Sequence, residues 1–179
     1  EFGSVKRVNI LRDEDSFKRN LNLYVLSENV DGNFVSPTQT IKENLRTWIS
    51  RFKMLNDTVD IFNGEFVNLK LSYEVVSGFD VNKYDLLVRC NEALEKKFNV
   101  KYNMGESFYL SDVYITLNAI SGVVDTTNVI VQTKSIAGYS QYPFNVNEHL
   151  SNDGRVLRAP DKVAFEIKDF DADITGVIK

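Results

Sequence analysis

The sequence is poor in the side chains that cross-linking and most enzyme chemistry require. It has one cysteine, Cys90, which excludes an intramolecular disulfide and a cysteine-rich metal site. Cys90 falls on the inward side of an expected helix and reads as a packed, inert thiol. The one histidine, His149, sits in the polar stretch Asn147-Glu148-His149. A lone loop histidine without an orienting partner reads as a solvated surface residue, not a general base. Gly64, Gly78, Gly105, Gly122 and Gly138 are isolated, so no glycine-rich cradle for phosphate precedes a helix. No serine lies in a G-x-S-x-G context. No apolar run approaches the ~20 residues of a membrane span. With 21 basic against 25 acidic residues the net charge is -4, which argues against broad binding to a nucleic-acid backbone. These absences lead to an expectation of no catalytic, cofactor or metal site and no nucleic-acid or membrane partner.

What is present suits one folded domain. Residues 1–4, Glu1-Phe2-Gly3-Ser4, read as a cloning scar and are set aside. Hydrophobic residues make up 43% and charged ones 26%, an ordinary globular balance. Val5 to Leu11 and Leu21 to Ser27 look extended, the second alternating apolar with polar. Ser36 offers an N-cap, Pro37 a first helical position and Gln39 a capping-box partner, so a helix is expected from Pro37 to about Met54. Its apolar stripe is Ile41, Leu45, Trp48, Ile49 and Phe52. Val59 and Ile61 then lead into Asn63-Gly64, the pair that favours a type I′ hairpin turn.

Beyond that turn, Val67, Leu69, Leu71, Tyr73 and Val75 alternate strictly with polar residues, the pattern of a long strand with one face on a core. Asp80 or Asn82 can cap a second helix, with Tyr84, Leu87, Val88, Asn91, Leu94 and Phe98 on one side. Lys96-Lys97 fits its basic C-terminal turn. A third helix follows Ser111 and ends near Gly122. Val123 to Thr133 and Lys162 to Lys168 read as strands. The expected class is α+β, with helices packed on a mostly antiparallel sheet and a long irregular arm near the C-terminus. The expected divisions are a main domain over 5–134, the arm over 135–160, and a C-terminal strand and tail over 161–179.

Two stretches invite a functional reading. Asp169, Asp171 and Asp173 are spaced like calcium ligands, but Gly176 is misplaced for such a loop and no twelfth-position Glu exists. An acidic strand edge or solvated tail fits better. In the arm, Tyr139, Tyr142 and Phe144 stand among polar residues and are candidate interface anchors; the alternative is that they fold back over their own core. A carbohydrate- or peptide-binding module would use these aromatics as a platform. An acid-pair hydrolase would need two carboxylates converging in a cleft.

Several segments together resemble a known family. The run Thr40-Ile41-Lys42-Glu43-Asn44-Leu45-Arg46-Thr47-Trp48-Ile49 resembles the helix of baseplate-J-type wedge proteins of contractile-tailed phages. It is followed by Met54 to Ile61 and by Phe66-Val67-Asn68-Leu69. Cys90-Asn91-Glu92-Ala93-Leu94 and Ile120-Ser121-Gly122-Val123-Val124-Asp125 fit the same order. The likeness spans roughly Leu21 to Lys134, with weaker echoes near Val163 to Gly176. It implies a non-enzymatic C-terminal portion of a longer protein. Such a portion would sit in the tail baseplate of the virion, with the host cytoplasm as its place of assembly. It implies pairing with a second copy (homodimer or ring contacts), and contacts to other wedge proteins in the ring around the tail hub. No catalytic motif comes with the family, and the stretch from Ser135 to Pro160 aligns with nothing in it.

Overall fold

The computed structural model describes residues 5–13, 20–54 and 57–179; residues 1–4, read above as a cloning scar, lie outside them. In chain order the elements are β1 (Val5–Arg12), β2 (Asn20–Glu28), β3 (Phe34–Val35), α1 (Gln39–Ile49), β4 (Thr58–Asn63) and β5 (Glu65–Ser77). Then follow α2 (Lys83–Phe98), β6 (Phe108–Tyr109), α3 (Leu110–Asn118), β7 (Val123–Thr133), α4 (Val146–His149), β8 (Val156–Leu157), β9 (Val163–Glu166), α5 (Phe170–Asp173) and β10 (Ile174–Ile178). The class is α+β, and its two larger sheets mix antiparallel with parallel pairs.

In the first sheet β2 is central. It pairs with β1 antiparallel and with β4 parallel, while β3 joins its far end. Leu23, Val25 and Ile61 form its buried face, with Leu45 and Ile49 of α1 packed on them. Here the structure departs from the sequence reading. Residue 36 does not cap the helix: α1 starts at Gln39, and Thr38 holds the cap position in extended backbone without a side-chain cap bond. Pro37 and Thr38 both stay outside the helix, which begins two residues later than expected. Gln39 instead bonds Glu43 one turn on, at 3.0 Å. α1 ends at Ile49, and Trp48 and Phe52, expected on its buried stripe, are exposed.

The expected hairpin at Asn63-Gly64 is also absent. β4 stays parallel to β2, and the chain passes at Gly64 from the first sheet into the second. The Gly64 amide donates to the Val25 carbonyl at 2.8 Å, and the next amide, Glu65, donates to the Lys162 carbonyl just before β9 at 2.9 Å. Glycine serves here for close approach, not for a positive φ. A Cβ at this position would lie 2.2 Å from Met104 Cε and 2.9 Å from Leu26 Cγ.

β5 is the middle of the second sheet. β7 runs antiparallel along one side; β9 and then β10 run parallel along the other. The predicted alternation holds: Val67, Leu69, Leu71, Tyr73 and Val75 are buried under α2 and α3, while Lys70, Ser72 and Glu74 alternate with them at half-exposed positions. Each such burial contributes roughly 1.5–3 kcal/mol of transfer free energy. Asn82 caps α2 by accepting from the Tyr84 amide at 3.0 Å. The buried line of α2 is Leu86, Cys90, Leu94 and Phe98, not the Tyr84–Val88 side. Both lines share Leu94 and Phe98 because an i, i+4 row drifts only about 40° per step, so periodicity alone does not choose between them. β10 sits beside β5 because Gly176 has no side chain. The Tyr73 ring crosses it, and a Cβ there would meet that ring at 2.2 Å.

Candidate interface and the buried charges beneath it

Cys90, His149 and Tyr73 each pack against neighbouring side chains. Cys90 is fully buried, and burial pushes its thiol pKa up more than the Arg89 charge lowers it. The His149 imidazole lies flat on Phe144, with ring centroids 4.5 Å apart and planes 11° apart. Tyr73 gives its hydroxyl proton to Asn91 Oδ1 at 2.7 Å, and burial raises its pKa well above the usual phenol value.

The acidic run is not a solvated tail. Asp169 caps the short α5, accepting from the Asp171 and Ala172 amides at 3.1 and 3.3 Å. Asp173 is fully buried and forms an ion pair with Lys134 at the end of β7. Its second oxygen accepts from the Asp169 amide at 3.1 Å. The hydrogen bond to Asp173, and then that to the Tyr139 hydroxyl, raise the Lys134 pKa. A buried carboxylate is stable only when so paired. Sequence spacing could not reveal this, since Lys134 and Asp173 are far apart in the chain.

A second buried carboxylate ties the segments together. Glu166 on β9 accepts from the Phe34 amide at 2.9 Å, from Asn68 Nδ2 at 3.0 Å and from Lys101 Nζ at 3.0 Å. Asn68 Oδ1 in turn accepts from the Ser140 amide at 2.7 Å, and the Ser140 hydroxyl donates to the Phe66 carbonyl. This network fastens residues 135–160 onto the sheet, and β8 pairs with β6 further along.

Of the three candidate anchors, Phe144 lies in the core, edge-on to Phe165 with centroids 5.5 Å apart. Tyr139 and Tyr142 are half-buried. The Lys134 and Lys168 ammonium groups lie over the Tyr139 ring at 4.2 and 5.0 Å. The structure therefore brings Tyr139 together with Lys134 and Asp173, and draws Phe144 inward to His149. The most exposed large apolar side chains lie elsewhere: Val30 after β2, Phe52 and Met54 after α1, and Phe79 and Tyr84 around the start of α2. The sequence reading assigned Phe52 and Tyr84 to buried faces, since apolar spacing on a helix carries no sign of which residues meet a neighbour. Among the described residues no group of three or more metal-ligating side chains converges, and no helix is long and apolar enough to cross a membrane.

Comparison with known proteins adds a likeness of fold. No family model and no curated protein sequence matches this chain. Among solved structures, it is similar to a chain of the anti-feeding prophage baseplate, determined by cryo-electron microscopy with six-fold symmetry applied. The TM-score is 0.50 at 10% sequence identity, and the match covers 83% of this chain but only 29% of that one.

Proposed function

We propose that this chain is a structural, non-catalytic module of a contractile-tail baseplate, part of a longer wedge protein in the virion. It pairs with a second copy and links neighbouring wedges around the hub. The observation that carries this reading is the fold it shares, over most of its length, with a chain of a prophage baseplate. The family resemblance read from Thr40 to Ile49 and from Ile120 to Asp125 points the same way. The commitment of Cys90, Tyr73 and Asp173 to packing supports a scaffold role. In this reading the arm contributes to the contact between copies through the exposed sides of Tyr139 and Tyr142, with Phe144 anchoring it from beneath. The Lys134 and Lys168 ammonium groups over Tyr139 speak against its use as an open stacking platform for a sugar or peptide.

Sedimentation velocity across a hundredfold range of concentration tests the pairing. A species of doubled mass that Tyr142→Glu dissociates is the expected result. A monomer at every concentration would overturn pairing by this module.

A further inference from the structure

Between α1 and β4 runs a groove of about 350 Å³. On one side it is lined by the unbroken run from Thr58 to Ile61, and on the other by Arg46, Ile49, Ser50 and Lys53. Consecutive strand residues point to opposite faces of a sheet, so a wall made of four in a row is the backbone edge of the strand itself. Among the described residues β4 pairs only with β2. In a parallel ladder every second residue of such a strand turns its N–H and C=O away from its partner. The groove therefore offers unpaired backbone donors and acceptors beside an apolar floor of Ile49, Val59 and Ile61.

Its charge is as specific as its shape. Arg46 on α1 and Lys53 in the turn beyond its end both line the groove and are exposed. Lys53 donates to the Asp57 carbonyl at 3.0 Å, which holds its ammonium at the end of the groove. Arg46 makes no ion pair among the described residues, although the chain as a whole is acidic at -4. Asp60 is the one carboxylate in the lining, and it too makes no ion pair there.

From this the geometry points to a docking site for an extended segment of another protein, one whose side chains on the face turned toward α1 are apolar at its middle and carboxylates at both ends. The segment adds to the outer edge of β4 as a further strand. Its apolar side chains fill the floor over Ile49, Val59 and Ile61. Its carboxylates meet Arg46 and Lys53, with the guanidinium able to bind one of them through two parallel hydrogen bonds. A second copy of this chain is a poor occupant, because its own alternating acidic run is already used: Asp169 caps α5, and Asp173 is buried against Lys134.

This inference does not depend on the baseplate reading, and its failure leaves that reading intact, since the test reads peptide binding and not self-association. The probe is a short fluorescent peptide in which the alternate residues of one face are Glu, Val and Glu with Thr between them, followed by anisotropy on the whole chain. Saturable binding is expected, with no comparable binding by the matching Val and Lys peptide. Reversing both cations (Arg46→Glu with Lys53→Glu) should weaken binding about tenfold or more. Both side chains are exposed, so the fold is expected to survive, and circular dichroism checks it. Of two peptides methylated on one or the other alternate set of nitrogens, one should lose binding, because strand addition uses the hydrogens of that set. Absence of binding, equal binding of the Val and Lys peptide, or indifference to the charge reversal would each overturn the proposal. Binding that survives methylation of either set would overturn strand addition.

Discussion

Around β5 a long strand lies beneath two helices, and Val67, Leu69, Leu71, Tyr73 and Val75 are each no more than 2% exposed. Around β2 a single helix with no fully buried residue covers Leu23, Val25 and Ile61, and the neighbouring β1 leaves Val8 and Ile10 about half exposed on the same face. Both regions use alternating strands and an amphipathic helix. They differ in how completely a second layer closes over the apolar face. Local stability follows the buried area, so the β5 region acts as the rigid body and the β2 region as its more easily opened flank. The flank is also where the groove of α1 lies, beside β4, which pairs only with β2 among the described residues.

The largest test is Phe165→Ala in the body. Phe165 is fully buried between β5 and the arm, and its loss should cost about 3–5 kcal/mol in a denaturation curve. Next is Glu166→Gln, which removes the charge that holds the Phe34 amide, Asn68 and Lys101 together. It should cost about 1–3 kcal/mol and speed amide exchange in β2 and β4 more than in β5 and β7. Uniform acceleration would mean that the two regions open as one.

Gly176→Ala forces a methyl into the Tyr73 ring. A loss of about 1–3 kcal/mol is expected, with a shifted tyrosine signal in near-ultraviolet circular dichroism. A smaller effect concerns pH. Burial raises the pKa of Cys90, Tyr73 and Tyr102, so their stabilisation is complete below the unfolded values, about 8.5 for cysteine and 10 for tyrosine. It is lost as pH rises from there toward the folded values, so Tm should be level through neutrality and fall above about pH 9. Cys90→Ala should move that onset toward pH 10. Smallest of all, Phe79→Ser and Met54→Ser, at exposed positions of the surface, should change stability by no more than about 0.5 kcal/mol. A larger loss would show that these side chains are covered in solution.

Much of the local structure is legible in the sequence. The strict alternation from Val67 to Val75 specifies a half-buried strand, Asn82 marks the start of α2, and Val123 to Thr133 matches β7 to the residue. Asn63-Gly64 misleads because the same glycine that favours a tight turn also permits close approach, and only the position of Met104 decides between them. The face of α2 is ambiguous for a similar reason, since two rows of residues share Leu94 and Phe98. The candidate sites are least legible. Tyr139 reads as an exposed aromatic until Lys134, Lys168 and Asp173 are seen around it.

By itself, then, the sequence determined the α+β class, the lone inert thiol and most strand and helix positions, because these follow from periodicity and residue type along short stretches of chain. Only the tertiary structure decided that β4 runs parallel to β2, that Asp173 is a buried partner of Lys134, and that Arg46 and Lys53 line a groove with β4. Each of these joins residues distant in the chain, and the energy that selects such contacts comes from pairing, desolvation and close packing that no local pattern encodes.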